Sequence, residues 1–159
     1  MKAGHTALGR FTRFFRREPD FYIGGRENPY LLRWYLTRRD PNRFRVYLHK
    51  FLRDDDDRAL HDHPSHSVSI ILRGGYIEHL PGAVVKHRYP GMVVFRRAET
   101  AHRIELFRDR SGKPIPARTV FIFGPKIREW GFHCPRGWIH WRDFTSETDS
   151  GNIGKGCEP

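Results

Sequence analysis

With 159 residues, 38% of them apolar and 14% aromatic, the chain is long enough and apolar enough for one domain with a real core. A net charge of +11 favours anionic partners, yet no block of five basic residues occurs, which points to a basic surface with one or two anion-binding arginines rather than to specific nucleic-acid binding. No apolar run is long enough to span a membrane, and Cys134 and Cys157 stand in unlike contexts, so no disulfide framework is expected and a reducing, cytoplasmic setting is.

Residues 1–18 are basic and carry Phe11, Phe14 and Phe15. A transit peptide or a surface-seeking helix has this composition. The preferred reading is an arm folded onto the following domain. Residues 28–40 fit neither the helical nor the strand period. From Phe44 onward the pattern is β: Phe44, Val46 and Leu48 share one face, and Arg45, Tyr47, His49 and Phe51 the other. Strands are predicted over 67–73, 75–80, 84–89, 92–97, 102–107 and 118–123, with further aromatic candidates at 130–133 and 137–144. Gly74-Gly75, Pro81-Gly82, Pro90-Gly91, Ser111-Gly112 and Gly124-Pro125 supply turns between them. Many short strands at this spacing predict an all-β sandwich or barrel, with the jelly roll the leading candidate. No repeat or linker divides the chain. The expected organisation is an arm and barrel-covering segment over 1–43, a barrel over 44–145, and a disordered tail over 146–159, where apolar periodicity is lost.

His61 and His63 stand two apart in an extended segment, so both imidazoles point to one side. Asp62 points away between them. A third ligand must come from elsewhere in the chain, and His102, opening a predicted strand, is placed to supply it. Imidazole serves Fe, Zn, Mn, Ni and Cu alike, so ligand type does not choose the ion. His5, His79 and His87 lie in surface-like settings, while His49 can face inward or outward.

The surroundings of the pair resemble the cupin superfamily over residues 44 to 123. The first cupin motif has His-x-His, a Glu four or five positions on, and a closing Gly; His61, His63 and Gly74 or Gly75 match. In the second motif a Gly precedes the ligand His by eleven positions, as Gly91 precedes His102. The departures are specific. Ser67 and Val68 stand where the Glu belongs, Arg97 and Glu99 replace the Pro and Gly of the second motif, and Leu106 replaces its Asn. The resemblance implies a cupin-type jelly-roll barrel with one divalent metal on His61, His63 and His102. The missing Glu makes the site similar to the three-histidine centres of thiol dioxygenases, which implies Fe(II), an oxygenase or dioxygenase activity, a small anionic substrate and no need of 2-oxoglutarate. A non-redox Zn or Mn isomerase, lyase or epimerase, or a non-catalytic binding barrel, is the alternative. A homodimer is compatible with either. The catalytic residues are not assigned. His66 is expected as an outer neighbour of the metal, and Arg97, Arg73, His49 and Tyr47 as substrate contacts.

Asp54 to Asp57 lack the spacing of a calcium loop and read as a solvated turn. The block from Trp130 to Trp141 is either a lid or an apolar plug, with the plug favoured for its tryptophans; His133, Cys134 and His140 are left open as pocket residues.

Overall fold

Alternating side chains give segments such as 67–73 and 117–123 a dry face and a more exposed one, and the dry faces decide the stacking. The computed structural model describes residues 16–55, 58–146 and 154–158. In chain order the strands are β1 (Phe21–Ile23), β2 (Leu31–Tyr35), β3 (Arg45–Phe51), β4 (Leu60–His61), β5 (Ser67–Arg73), β6 (Tyr76–Leu80), β7 (Val84–Arg88), β8 (Val93–Arg96), β9 (Arg103–Leu106), β10 (Ala117–Phe123), β11 (Gly131–Cys134) and β12 (Gly137–His140). A single-turn helix, α1 (Trp141–Phe144), follows.

Six strands form a sheet in the order β1-β2-β3-β10-β5-β8; β7-β6-β9 and β12-β11-β4 form two smaller sheets. The pairings of β10 with β3 and with β5 are antiparallel and join strands distant in sequence, as a jelly roll requires. Leu31, Phe51, Ile71, Tyr76, Val94, Ile104, Leu106 and Ala117 make the main core. These residues come from the six-stranded sheet and from β6 and β9 of the β7-β6-β9 sheet, so the core lies between those two sheets.

The segment 28–40 becomes β2, paired with β3 from Leu31↔Phe51 to Tyr35↔Tyr47. Leu31 and Trp34 are both buried although three residues apart, and this is why neither period fits. β1 and β2 thus carry the main sheet into the segment before Phe44. Of the arm expected over 1–18, residues 1–15 fall outside the described residues.

Gly74 and Gly75 carry the chain from the first sheet to the second with φ of 76° and 121°. A Cβ on Gly74 would lie 2.5 Å from Pro116 O, and one on Gly75 2.5 Å from Arg88 O. Only glycine combines these dihedrals with so close an approach. The crossing sets the parity of β6, which turns Tyr76 and Glu78 inward.

One expectation is overturned: Cys134 and Cys157 form a disulfide, with Cα atoms 5.5 Å apart. The tail returns across the C-terminal block, where Gly156 N–H donates to Phe144 O at 2.9 Å and an Arg58 Nη1–H donates to Gly154 O at 3.1 Å. The unlike sequence contexts gave no hint of this return. Gly154, Gly156 and Cys157 of the segment read as a disordered tail are therefore held against that block, and 147–153 and 159 lie outside the described residues. No helix among the described residues is long and apolar enough to cross a membrane.

Candidate metal centre

Backbone hydrogen bonds place the three histidines. His61 N–H donates to His102 O at 2.8 Å and His102 N–H to His61 O at 2.9 Å, while His63 N–H donates to Ala98 O at 3.0 Å. The extended chain then sets His61 and His63 on one face, opposite His102. The ring centroids lie 5.1, 4.8 and 5.1 Å apart, a nearly equilateral triangle. One nitrogen from each ring lies within 4.8 Å of the others, and His63 Nε2 is 2.9 Å from His102 Nε2. Two imidazole nitrogens that bind one ion at about 2.1 Å and meet near a right angle lie about 3 Å apart. The group can therefore hold one transition-metal ion.

The chemistry of the donors agrees with their spacing. Burial, followed by the neighbouring imidazoles, holds His63 well below the usual histidine range. Burial also lowers His102, to about 4, against the opposing hydrogen bond to Glu78. Both are neutral at pH 7, the form that binds metal. Glu78, only 1% exposed, accepts from His102 Nδ1–H at 3.1 Å and from Arg96 Nε–H at 2.5 Å through Oε1. Its Oε2 accepts from Arg88 Nε–H at 2.7 Å. Burial disfavours the Glu78 charge, but the His102 hydrogen bond and the Arg96 charge outweigh it and hold the carboxyl well below its ordinary range.

Asp55 Oδ2 lies 3.9 Å from His61 Nδ1 and accepts Ile104 N–H at 2.5 Å, and its other oxygen accepts from Tyr30 OH. Asp54 accepts Leu106 N–H at 2.7 Å and pairs with Arg108. The first two acids of the Asp54–Asp57 run are thus not a solvated turn. They satisfy donors on the free edge of β9, which a β-ladder would otherwise fill. Asp56 and Asp57 lie outside the described residues.

The histidines open onto a cavity of about 560 Å³. Its walls include Arg33, Arg45, Tyr47, His49, Phe51 and Phe121 from the main sheet, and Trp130, Phe132 and Trp141 from the C-terminal block. Arg33 Nε–H donates to His49 Nε2 at 2.8 Å, and its guanidinium carbon lies 4.8 Å from the centroid of Tyr47. Burial and then the Arg33 charge hold His49 well below the usual histidine range. The His49 ring stacks between Tyr47 and Phe121, with centroids 5.8 and 5.0 Å away.

Tyr47 and His49 therefore reach the cavity with the three histidines, whereas Arg73 and Arg97 do not. The β5–β10 register shifts at Arg118/Thr119, just opposite Arg73, and the parity that turns Ser69 and Ile71 inward does not extend to it. On β8 the inward residues are Val94 and Arg96, which leaves Arg97 outside with His66, Glu99 and Thr100 in a separate surface groove. His66 Nδ1 accepts Ala98 N–H at 2.9 Å and braces the loop behind His63.

In the C-terminal block, Trp130, Phe132 and Trp141 wall the cavity, but His133, Cys134 and His140 do not line it. Asp62 is the buried hub of this block, accepting from Gly131 N–H at 2.9 Å and Trp138 Nε1–H at 3.0 Å and pairing with Arg128 at 2.7 Å. Sequence reading missed Arg33, Glu78 and Arg96. The signal for Glu78 was available, since it shares strand parity with Tyr76.

No protein-family model and no curated protein matches the chain. Solved structures do. A putative mannose-6-phosphate isomerase from Ralstonia eutropha JMP134 is 13% identical, with a TM-score of 0.51 over 79% of this chain and 98% of that one. A DMSP lyase from Ruegeria pomeroyi DSS-3 is 15% identical, with a TM-score of 0.52 over 78% of this chain and 66% of that one. A cupin superfamily protein from Desulfitobacterium hafniense DCB-2 is 20% identical, with a TM-score of 0.47 over 65% and 84%. At these identities the likeness concerns the backbone alone. With the strand order described above, the likeness to the two structures whose TM-scores exceed 0.5 shows that the chain has a jelly-roll fold.

Proposed function

We propose that the protein is a mononuclear metal-dependent oxygenase acting on a small anionic substrate, with iron held by His61, His63 and His102. One observation carries the reading: the three imidazoles converge at the wall of the cavity, and among the described residues no carboxylate joins their ligand group. A neutral triad leaves the full charge of the ion in place, which favours an anionic substrate such as a thiolate or enolate. Bound iron would supply a redox centre at which such a substrate and dioxygen can meet. The chain's own residues bind and orient. Among the described residues no carboxylate stands within ion-pair distance of Arg33, whose one polar side-chain partner there is the neutral His49. Its positive charge is thus free to hold a substrate anion, while Phe51, Phe121, Trp130 and Phe132 keep water from the site.

The test is oxygen uptake by anaerobically iron-loaded protein with small thiols and β-dicarbonyls, with and without 2-oxoglutarate. Turnover without 2-oxoglutarate is expected, and dependence on it would overturn the reading. A second reading, Lewis-acid elimination or isomerisation, draws on the names of the two structures whose TM-scores exceed 0.5. Turnover by the Zn-loaded protein without oxygen uptake would decide for it.

A further inference from the structure

We propose that Glu78 is the positioning residue of the metal centre: it holds His102 by Nδ1 and so commits Nε2 to the ion. This rests on the reading of His102 as a ligand. The ligand carboxylate that the first motif lacks is thereby replaced by one that acts from one hydrogen bond away.

The argument begins with the backbone. The Gly74-Gly75 crossing turns Glu78 inward beside Tyr76, and β6 pairs with β9 immediately after His102 in the register His79↔Arg103. Oε1 takes His102 Nδ1–H at 3.1 Å together with Arg96 Nε–H at 2.5 Å, while Oε2 takes Arg88, with Nη2 at 2.6 Å. Arg96 is itself fixed by its Nη2–H to Tyr76 OH at 3.0 Å. The carboxylate cannot rotate away from His102 without leaving a guanidinium unpaired in the core, which is costly. With its two oxygens held by Arg96 and Arg88, the carboxylate is fixed as an acceptor facing His102 Nδ1. An ionised carboxylate only accepts, so Nδ1 is the nitrogen that carries the N–H toward Glu78, and Nε2 is the one left to face the other two histidines. Outer carboxylates of this kind orient ligating histidines and raise their basicity.

The experiment compares wild type, Glu78→Gln and Arg88→Met for Co(II) affinity and the visible Co(II) spectrum. Arg88→Met disturbs the same ion cluster without touching His102. In Glu78→Gln the affinity is expected to fall about 10–100-fold with shifted bands, while Arg88→Met keeps the wild-type spectrum and binds within a few-fold of wild type. Wild-type affinity and spectrum in Glu78→Gln would overturn the proposal alone. Absence of Co(II) uptake by wild type would overturn the metal reading and the proposal with it. Should Glu78→Gln not fold, nitrogen NMR of histidine-labelled, metal-free wild type decides. His102 protonated at Nδ1 is expected, and protonation at Nε2 alone would overturn the role given to Glu78.

Discussion

Arg33 donates to His49 across the β2–β3 pair, and the imidazole that receives this hydrogen bond is neutral. The pair therefore presents a full positive charge to the cavity instead of cancelling it. In Zn-loaded protein, Arg33→Met should weaken binding of 3-mercaptopropionate about 10–100-fold, the loss of a hydrogen bond to a charged group of roughly 1.5–3 kcal/mol. Binding of 2-mercaptoethanol, which lacks the carboxylate, should change little. Calorimetry with both probes tests this, and an equal loss for both would remove Arg33 from anion binding.

Metal content follows from the three-histidine group. One ion per chain is expected after loading and desalting, and His61→Ala and His102→Ala should each lower it severalfold, since each removes one of three ligands. Elemental analysis beside circular dichroism separates loss of metal from loss of fold. Undiminished metal in both variants would remove the site.

Acid should weaken the metal-free protein. His102 titrates at about 4 in the folded chain against an ordinary value of 6.5. Between these values the unfolded chain takes up a proton that the native imidazole refuses. Stability present above pH 6.5 is therefore lost as pH falls toward 4, by on the order of 3 kcal/mol for this residue. His63 is shifted in the same direction and adds to the loss. Urea melts at pH 7.5 and 4.5 should show the difference, and a flat profile would contradict it.

Reduction should loosen the C-terminal block. The Cys134–Cys157 bond closes a loop with a sequence separation of 23, worth about 3 kcal/mol in chain entropy. A phosphine reductant should lower the melting temperature of wild type. It should have no effect on Cys157→Ser, which starts at the lower value. An unchanged wild-type melt would mean that the bond contributes nothing to the fold in solution.

Much of this fold is legible in the sequence because period-two alternation is a local signal. The expected segment 67–73 coincides with β5, and His61-x-His63 shares a face for the same reason. Features that depend on distant pairing are not legible. β2 is covered on both faces, so Arg33 shows no periodicity to mark it. Arg96 and Arg97 differ by one residue, and only the register of β8 against β5 decides which of them enters the core. Cys134 and Cys157 meet through a return of the tail that no local pattern announces.

The strand that carries His61 pairs with β11 at Phe132 and bridges to His102, and both partners lie later in the chain. During synthesis the His61-x-His63 pair thus emerges before anything that can hold it in place. His102 and Ala98 supply the backbone partners of the pair, and Phe132 adds the second neighbour of β4 when the C-terminal block docks. A chain halted before Phe132 would carry all three imidazoles with β4 bridged to His102 but lacking its second neighbour, β11.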